Sequence, residues 1–435
     1  MINLRGFLLT LCSVLFLSFI TACSSETSVE TNGANNSEEA DGGILKILLS
    51  EEPSSEDALN NSFKKWAEET GNKVDTIVIP YDDQITKFPL MLKNDDVPDL
   101  VSTTRLTRLY PEEFLDLTDV VDIGIFDQAA LEIIGQDYDS DSNLALPNQY
   151  TITSYFYNAD AFEEVGIEVP TIDDPWTMDE LISNAQKLKD SGDVNYGLAV
   201  DFSRGRYDNL MYSNGGSITQ ETEDSFVVSI NSEENVQTLE NFVEWNETDL
   251  MPKVIWTGGS TDNPADYFKN GDVGIYLSGS WEYSPMYEEI TAFDWGVMPS
   301  PIGSLQQSAI AGGGGLGIPS SAENPELAKE FLEWFYKEDN YVEFLAQDKG
   351  ISFINGVTYE PEDEKVIADY EILQAEMKNV TDRFLVDEKS AWRNYLDSEY
   401  RDVIKRAVSG ELTAKEALDV FANDLSEKSD WEIAN

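Results

Sequence analysis

Five aromatic residues, Tyr81, Tyr150, Trp256, Trp281 and Trp392, fall beside turns and outside helical stripes, where a ring can meet a ligand instead of a core. Trp281 is the most telling. It follows Gly279-Ser280 directly after the apolar run Val273 to Leu277, so its indole is expected at the carboxyl end of a strand, where open α/β sheets bind ligands. A flat indole there suits the apolar face of a sugar ring, with nearby polar groups bonding the hydroxyls. Trp66 and Trp334 recur at helical spacing and read as core. The run Gly312-Gly313-Gly314-Gly315 is either a backbone that approaches a ligand unobstructed by Cβ atoms, or a hinge or tight strand start; it lacks the Lys of a phosphate loop.

Other chemistries lack their side chains. The chain has no His, and its two cysteines are Cys12 and Cys23, so structural zinc and imidazole catalysis lack their usual ligands and bases. Carboxylates, Lys and Tyr remain for such work. No catalytic residue, metal or cofactor is expected. Arg5, the apolar run Phe7 to Ile20 and then Thr21-Ala22-Cys23 have the layout of a secretory signal covering residues 1–22. A Cys directly after Thr-Ala resembles a bacterial lipobox, which implies that Cys23 takes a diacylglycerol and becomes the new N-terminus; the alternative is an ordinary secretory signal. Residues 23–43, rich in Ser, Thr, Asn, Gly and acidic groups, read as a flexible leash. No later segment offers the ~20 apolar residues of a membrane span. The expected location is therefore the outer face of the cytoplasmic membrane of a Gram-positive bacterium, held by lipid alone.

Formal net charge is −55, from 28 Lys plus Arg against 83 Asp plus Glu. Such a field repels nucleic acid and other polyanions, and favours a neutral or cationic ligand. Carboxylates spread along every segment read as a solvated surface suited to a saline or alkaline medium.

The elements that must position Trp281 begin at Ile44. The run Ile44 to Leu49 reads as a buried parallel strand, a helix carries Leu59, Phe63 and Trp66 to a stop at Gly71, and Val74 to Ile79 and Leu100-Val101 read as further strands. Strand, helix, strand starts a βαβ fold. Thr177 with Glu180 and Thr413 with Glu416 are capping boxes, Asn231-Ser232 precedes another helix, and Asn324-Pro325 opens one with Pro at its first turn. Leu418 and Phe421 give the last helix a stripe that docks it on a domain. Residues 44–435 suggest two domains at about 100–200 residues each.

Val97-Pro98-Asp99-Leu100-Val101, Leu144-Ala145-Leu146-Pro147 with Phe156-Tyr157-Asn158, and Trp176 to Leu181 occur in that order. They are followed by Gly215-Gly216, Phe268 to Ile275, Gly279-Ser280-Trp281, Asp294 to Pro301, the glycine run and Asn324 to Ala328. In order and spacing these resemble the extracellular solute-binding proteins of bacterial ABC importers, in the sugar-uptake family that includes maltose-binding proteins. The resemblance implies an α/β fold of two lobes, periplasmic-binding-protein-like type II, closing on a ligand cleft through hinge crossings. It places lobe 1 at residues 44–153 and 309–362 and lobe 2 at 154–308 and 363–435. It implies a monomer that passes a sugar or oligosaccharide to permease subunits. By position, Trp281 matches the aromatic platform, Gly313 and Gly314 a backbone contact, and Glu51, Glu52, Thr103 and Arg105 polar contacts after the first and third strands. Trp392 is the candidate second platform, with Tyr395 its rival; one of Glu51 and Glu52 can instead be solvated, and Arg105 can be a surface charge. Thr103, and the stretch around Gly205-Arg206-Tyr207, replace aromatics of maltose-binding proteins and imply another sugar. Alternatives are a peptide, polyamine or other small solute, or an exported glycosidase using paired carboxylates.

Overall fold

The computed structural model describes residues 42–50, 57–102, 105–135, 140, 142–202, 204–258, 263–396 and 398–434. The expectations on Cys23, Glu51, Glu52 and Thr103 lie outside those residues, as does the side chain of Tyr81. Among the described residues no helix is long and apolar enough to cross a membrane.

Among the described residues ten strands are formed: β1 Ile44–Leu49, β2 Lys73–Val78, β3 Leu100–Ser102, β4 Leu146–Asn158, β5 Tyr196–Val200, β6 Thr219–Glu221, β7 Phe226–Val228, β8 Val273–Gly279, β9 Trp295–Met298 and β10 Ala311–Gly317. The main sheet runs β2-β1-β3-β10-β4-β8-β5, with β9 also on β4. β4 makes one molecule of two halves. Its residues 146–152 pair with β10 in the first half, and from Thr153 onward it pairs with β8, then with β9, in the second. The result is the two-lobed α/β architecture, with helices packed on both half-sheets.

Local rules place most elements. β1 is buried on both faces, as a parallel strand covered by helices must be. The helix Ala58–Thr70 starts at Asp57, whose side chain accepts from the Asn60 amide at 2.8 Å, and ends at Gly71 with φ 76°, a left-handed cap. Both predicted capping boxes form, at Thr177 with Glu180 and at Thr413 with Glu416. Asn324-Pro325 opens the helix Pro325–Phe335 as expected, with Pro at its first turn, although the Asn324 side chain makes no capping bond. Its amide instead donates to Asp99 at 2.6 Å. Asp99, fully buried, also accepts from the Lys46 amide at 2.9 Å, so one carboxylate ties β1, the start of β3 and that helix together. Tyr81, read as a turn residue, opens the helix Tyr81–Lys93. Trp256 is core: its Nε1 donates to the Val200 carbonyl at 3.3 Å and its ring lies 4.9 Å from Phe242.

The C-terminal helices hold the second half through buried carboxylates. Asp369 accepts from the Val297 amide and the Tyr283 hydroxyl, and Glu376 from the Ser300 amide and hydroxyl. Asp387 accepts from the amides of Ile218 and Thr219 and from the hydroxyls of Thr219 and Tyr212, at 2.7 to 2.9 Å.

Burial pushes the carboxyls of Asp387 and Asp348 up to about 6, from an ordinary 3.8. An acid raised in this way binds its proton more tightly folded than unfolded, so each favours folding as pH falls from about 6 toward 4, by at most ~1.4 kcal/mol per pH unit. Easing of self-repulsion among 83 acids acts in the same direction. The melting temperature is expected to rise between pH 7.5 and pH 5, and the rise to be smaller in Asp348→Asn. A melting temperature that falls steadily over that range contradicts the assignment.

Candidate functional site

Strand direction fixes where a ligand can sit. β10 is antiparallel to both β3 and β4, so β1, β2, β3 and β4 run the same way in the first half. β8 and β5 run against β4 in the second. The carboxyl ends of both half-sheets therefore face each other along β4. β3 ends at Ser102, level through Leu316 with Leu146, and β8 ends at Gly279, opposite Thr153. The stretch of β4 between these levels is six to seven residues, roughly 20 Å at strand rise. Its floor is Gln149, Tyr150 and Thr151, paired with Gly314, Gly313 and Gly312.

The glycines are required by that floor. A Cβ on Gly313, at φ 155°, would lie 1.9 Å from the Gln149 carbonyl oxygen, and one on Gly314 2.6 Å from Asn148 Oδ1. The register also shifts between Gly314 and Gly315. The run is therefore strand, entered beside the crossing between the halves, and Gly312 to Gly314 are half-buried at the cleft.

On the second half, Ser280 Oγ accepts from the Ile152 amide at 3.1 Å and anchors the turn after β8 to the middle of β4. The Trp281 indole that follows is half-buried and folds back on Gly279, where a Cβ would come within 1.9 Å of Cζ3. Arg206 lies over the ring, its Cζ 5.0 Å from the centroid. Its Nη1 donates to Thr153 Oγ1 and to the Ser278 carbonyl, both at 2.9 Å, while Nε is buried without a partner among the described residues. Burial lowers the Arg206 pKa and the field of Asp201 opposes that shift. Asp201 closes the group by accepting from Ser278 Oγ at 2.8 Å. The sequence marked the stretch around Arg206 only as a replacement of aromatics, and gave no role to Arg206 itself.

The remaining candidates separate. Arg105 is half-buried at the start of the helix Arg105–Leu109, directly past the end of β3 and on the same cleft side. Tyr150 is 4% exposed and packs into the core beneath the floor, with burial raising its hydroxyl pKa. Trp392 is corrected likewise: at 1% exposed it packs edge-on against Tyr400 and Phe421, with centroids at 5.3 and 5.9 Å, leaving no face for stacking. Its rival Tyr395 is exposed but leans on Trp431.

The profile of the family described as bacterial extracellular solute-binding protein matches residues 52–342. Among solved structures, maltose-bound MalE3 of T. maritima superposes with a TM-score of 0.76 at 18% identity, over 89% of this chain and all of that one. The substrate-binding protein Lmo0181 of Listeria monocytogenes, in complex with cycloalternan, gives 0.73 at 19%, over 90% of this chain and 100% of the other. The GacH receptor of Streptomyces glaucescens, solved unliganded and with acarbose, gives 0.75 at 16%, over 90% and 100%. All three share the fold.

Proposed function

The chain belongs to the bacterial extracellular solute-binding protein family, and on that premise we propose that it captures a sugar or oligosaccharide between its two halves and delivers it to the permease of an ABC transporter. The observation that carries this reading is the half-buried indole of Trp281, at the point of β4 where the carboxyl ends of both half-sheets converge. A sugar ring stacks on Trp281, backbone at Gly313 and Gly314 meets its hydroxyls, and Arg105, Thr103, Glu51 and Glu52 reach it from the first half. Tyr81 stands at the start of its helix on that same side. Relatives of the same fold solved with maltose, cycloalternan and acarbose support a saccharide as the ligand class. The protein binds and releases without turnover. Removal of residues 1–22, lipid on Cys23 and the leash 23–43 keep it at the outer membrane face. The change of partner along β4 at Ile152 and Thr153 supports lobes of 44–153 with 309–362 and 154–308 with 363–435.

A thermal-shift panel of hexoses, maltotriose, cyclic oligosaccharides, spermidine and short peptides tests this. A ligand held only by the folded state at a hundred times its Kd adds about 2.7 kcal/mol, a clear rise in melting temperature. At least one saccharide is expected to give it and to be recovered intact. A shift with spermidine or a peptide and none with sugars overturns the saccharide assignment.

A further inference from the structure

Among the described residues, two ion pairs join the halves. Lys349 Nζ to Glu288 Oε1, at 3.0 Å, lies at the start of the segment 350–363 that leads from the first half to the second. The other pair does not adjoin that crossing. It joins Arg108, on the helix Arg105–Leu109 after β3, to Glu388, on the helix Asp382–Lys389 that Asp387 fastens to β6. Leu106 roots the first of these helices in the core around Leu48 and Val101. Arg108 Nη1 is 2.5 Å from Glu388 Oε2, and Arg393 Nη2 is 2.6 Å from Oε1, so one carboxylate with a 7% exposed side chain is gripped at both oxygens. The Arg108 guanidinium is itself held from the first half, since Nη2 donates to the Ile133 carbonyl.

We propose that Arg108 and Glu388 form a latch across the cleft that holds the halves closed before any ligand arrives. Arg393 and the Asp387 anchorage preset the carboxylate, and Ile133 presets the cation, so little side-chain freedom is lost when they meet. Of the two ion pairs on Glu388, opening separates the one to Arg108, while Arg393 moves with Glu388. Hydration of the parted charges offsets part of the loss, which makes the latch reversible. A ligand entering a population biased toward closure binds more tightly by that bias, so residues that never touch the sugar set its apparent affinity.

The test uses no ligand and is therefore independent of the saccharide reading. Small-angle X-ray scattering of the unlipidated mature chain is compared with that of Arg108→Gln, Glu388→Gln and Arg108→Lys. Both Gln variants are expected to show a larger radius of gyration than the parent chain, while the Lys variant, which keeps one charged contact, stays compact. If Glu388→Gln fails to fold, the Arg108 position, whose side chain is 21% exposed against 7% for Glu388, carries the comparison alone. Gln variants as compact as the parent, or a Lys variant as open as Arg108→Gln, overturn the latch.

Discussion

Trp281→Ala is expected to weaken saccharide binding by about 30-fold to 1000-fold, while the unliganded chain melts close to its usual temperature. Aromatic anchors in pockets of this kind contribute roughly 2–4 kcal/mol on truncation, and each 1.4 kcal/mol is tenfold in affinity. The stability side follows from placement: the indole is half-buried at the cleft, and its main supports are the Gly279 backbone and the Arg206 guanidinium, not a packed core. Isothermal titration with whichever saccharide raises the melting temperature reads the first effect, and a thermal melt the second. Gly279→Ala approaches the same claim from the strand end that the ring rests on. Its methyl cannot coexist with Cζ3 at 1.9 Å, so the indole must move, and affinity is expected to fall although no ligand contact has been removed. Unchanged affinity in both variants places the sugar elsewhere.

The largest loss of stability is expected at Asp387. Four donors converge on its carboxylate, from Ile218, Thr219 twice and Tyr212, in a site that is 1% exposed. Truncation to alanine strands all of them away from water. Each unsatisfied buried group costs about 1–3 kcal/mol, and relaxation recovers part of the sum, so a net loss of roughly 3–5 kcal/mol is expected. Asp387→Asn, which keeps one carbonyl acceptor, is expected to fall between. Urea unfolding measures both. Losses under about 1 kcal/mol in each variant would mean that the helix Asp382–Lys389 does not hold the turn before β6.

What the sequence disclosed follows the range of the forces concerned. Capping boxes, the left-handed stop at Gly71 and the Pro at the first turn of Pro325–Phe335 are settled within four residues, and each was legible. So was the position of Trp281, because a strand end followed by Gly-Ser is itself local. Tyr150 and Trp392 misled for the complementary reason. Lack of a helical stripe says nothing about partners arriving from elsewhere, and Trp392 is enclosed by Tyr400 and by Phe421 from a helix beyond it. Arg206 stayed hidden because its acceptors, Thr153 and Ser278, are 53 and 72 residues away. The donors to Asp387 are more than 160 residues distant, so no local pattern announces them. The glycine run was legible as an alternative only. The structure settles the strand role, placing the run in β10 beside β4 where β4 crosses between the halves.

The most direct measurement is a crystal structure of the chain with the saccharide that stabilises it best. Density for a sugar ring in van der Waals contact with the six-membered ring of Trp281, about 4 Å away, and touching residues of both halves, is the predicted result. A sugar resting in the separate groove between Tyr196, Tyr267 and Asp272, or one touching a single half with Trp281 bare, would contradict it.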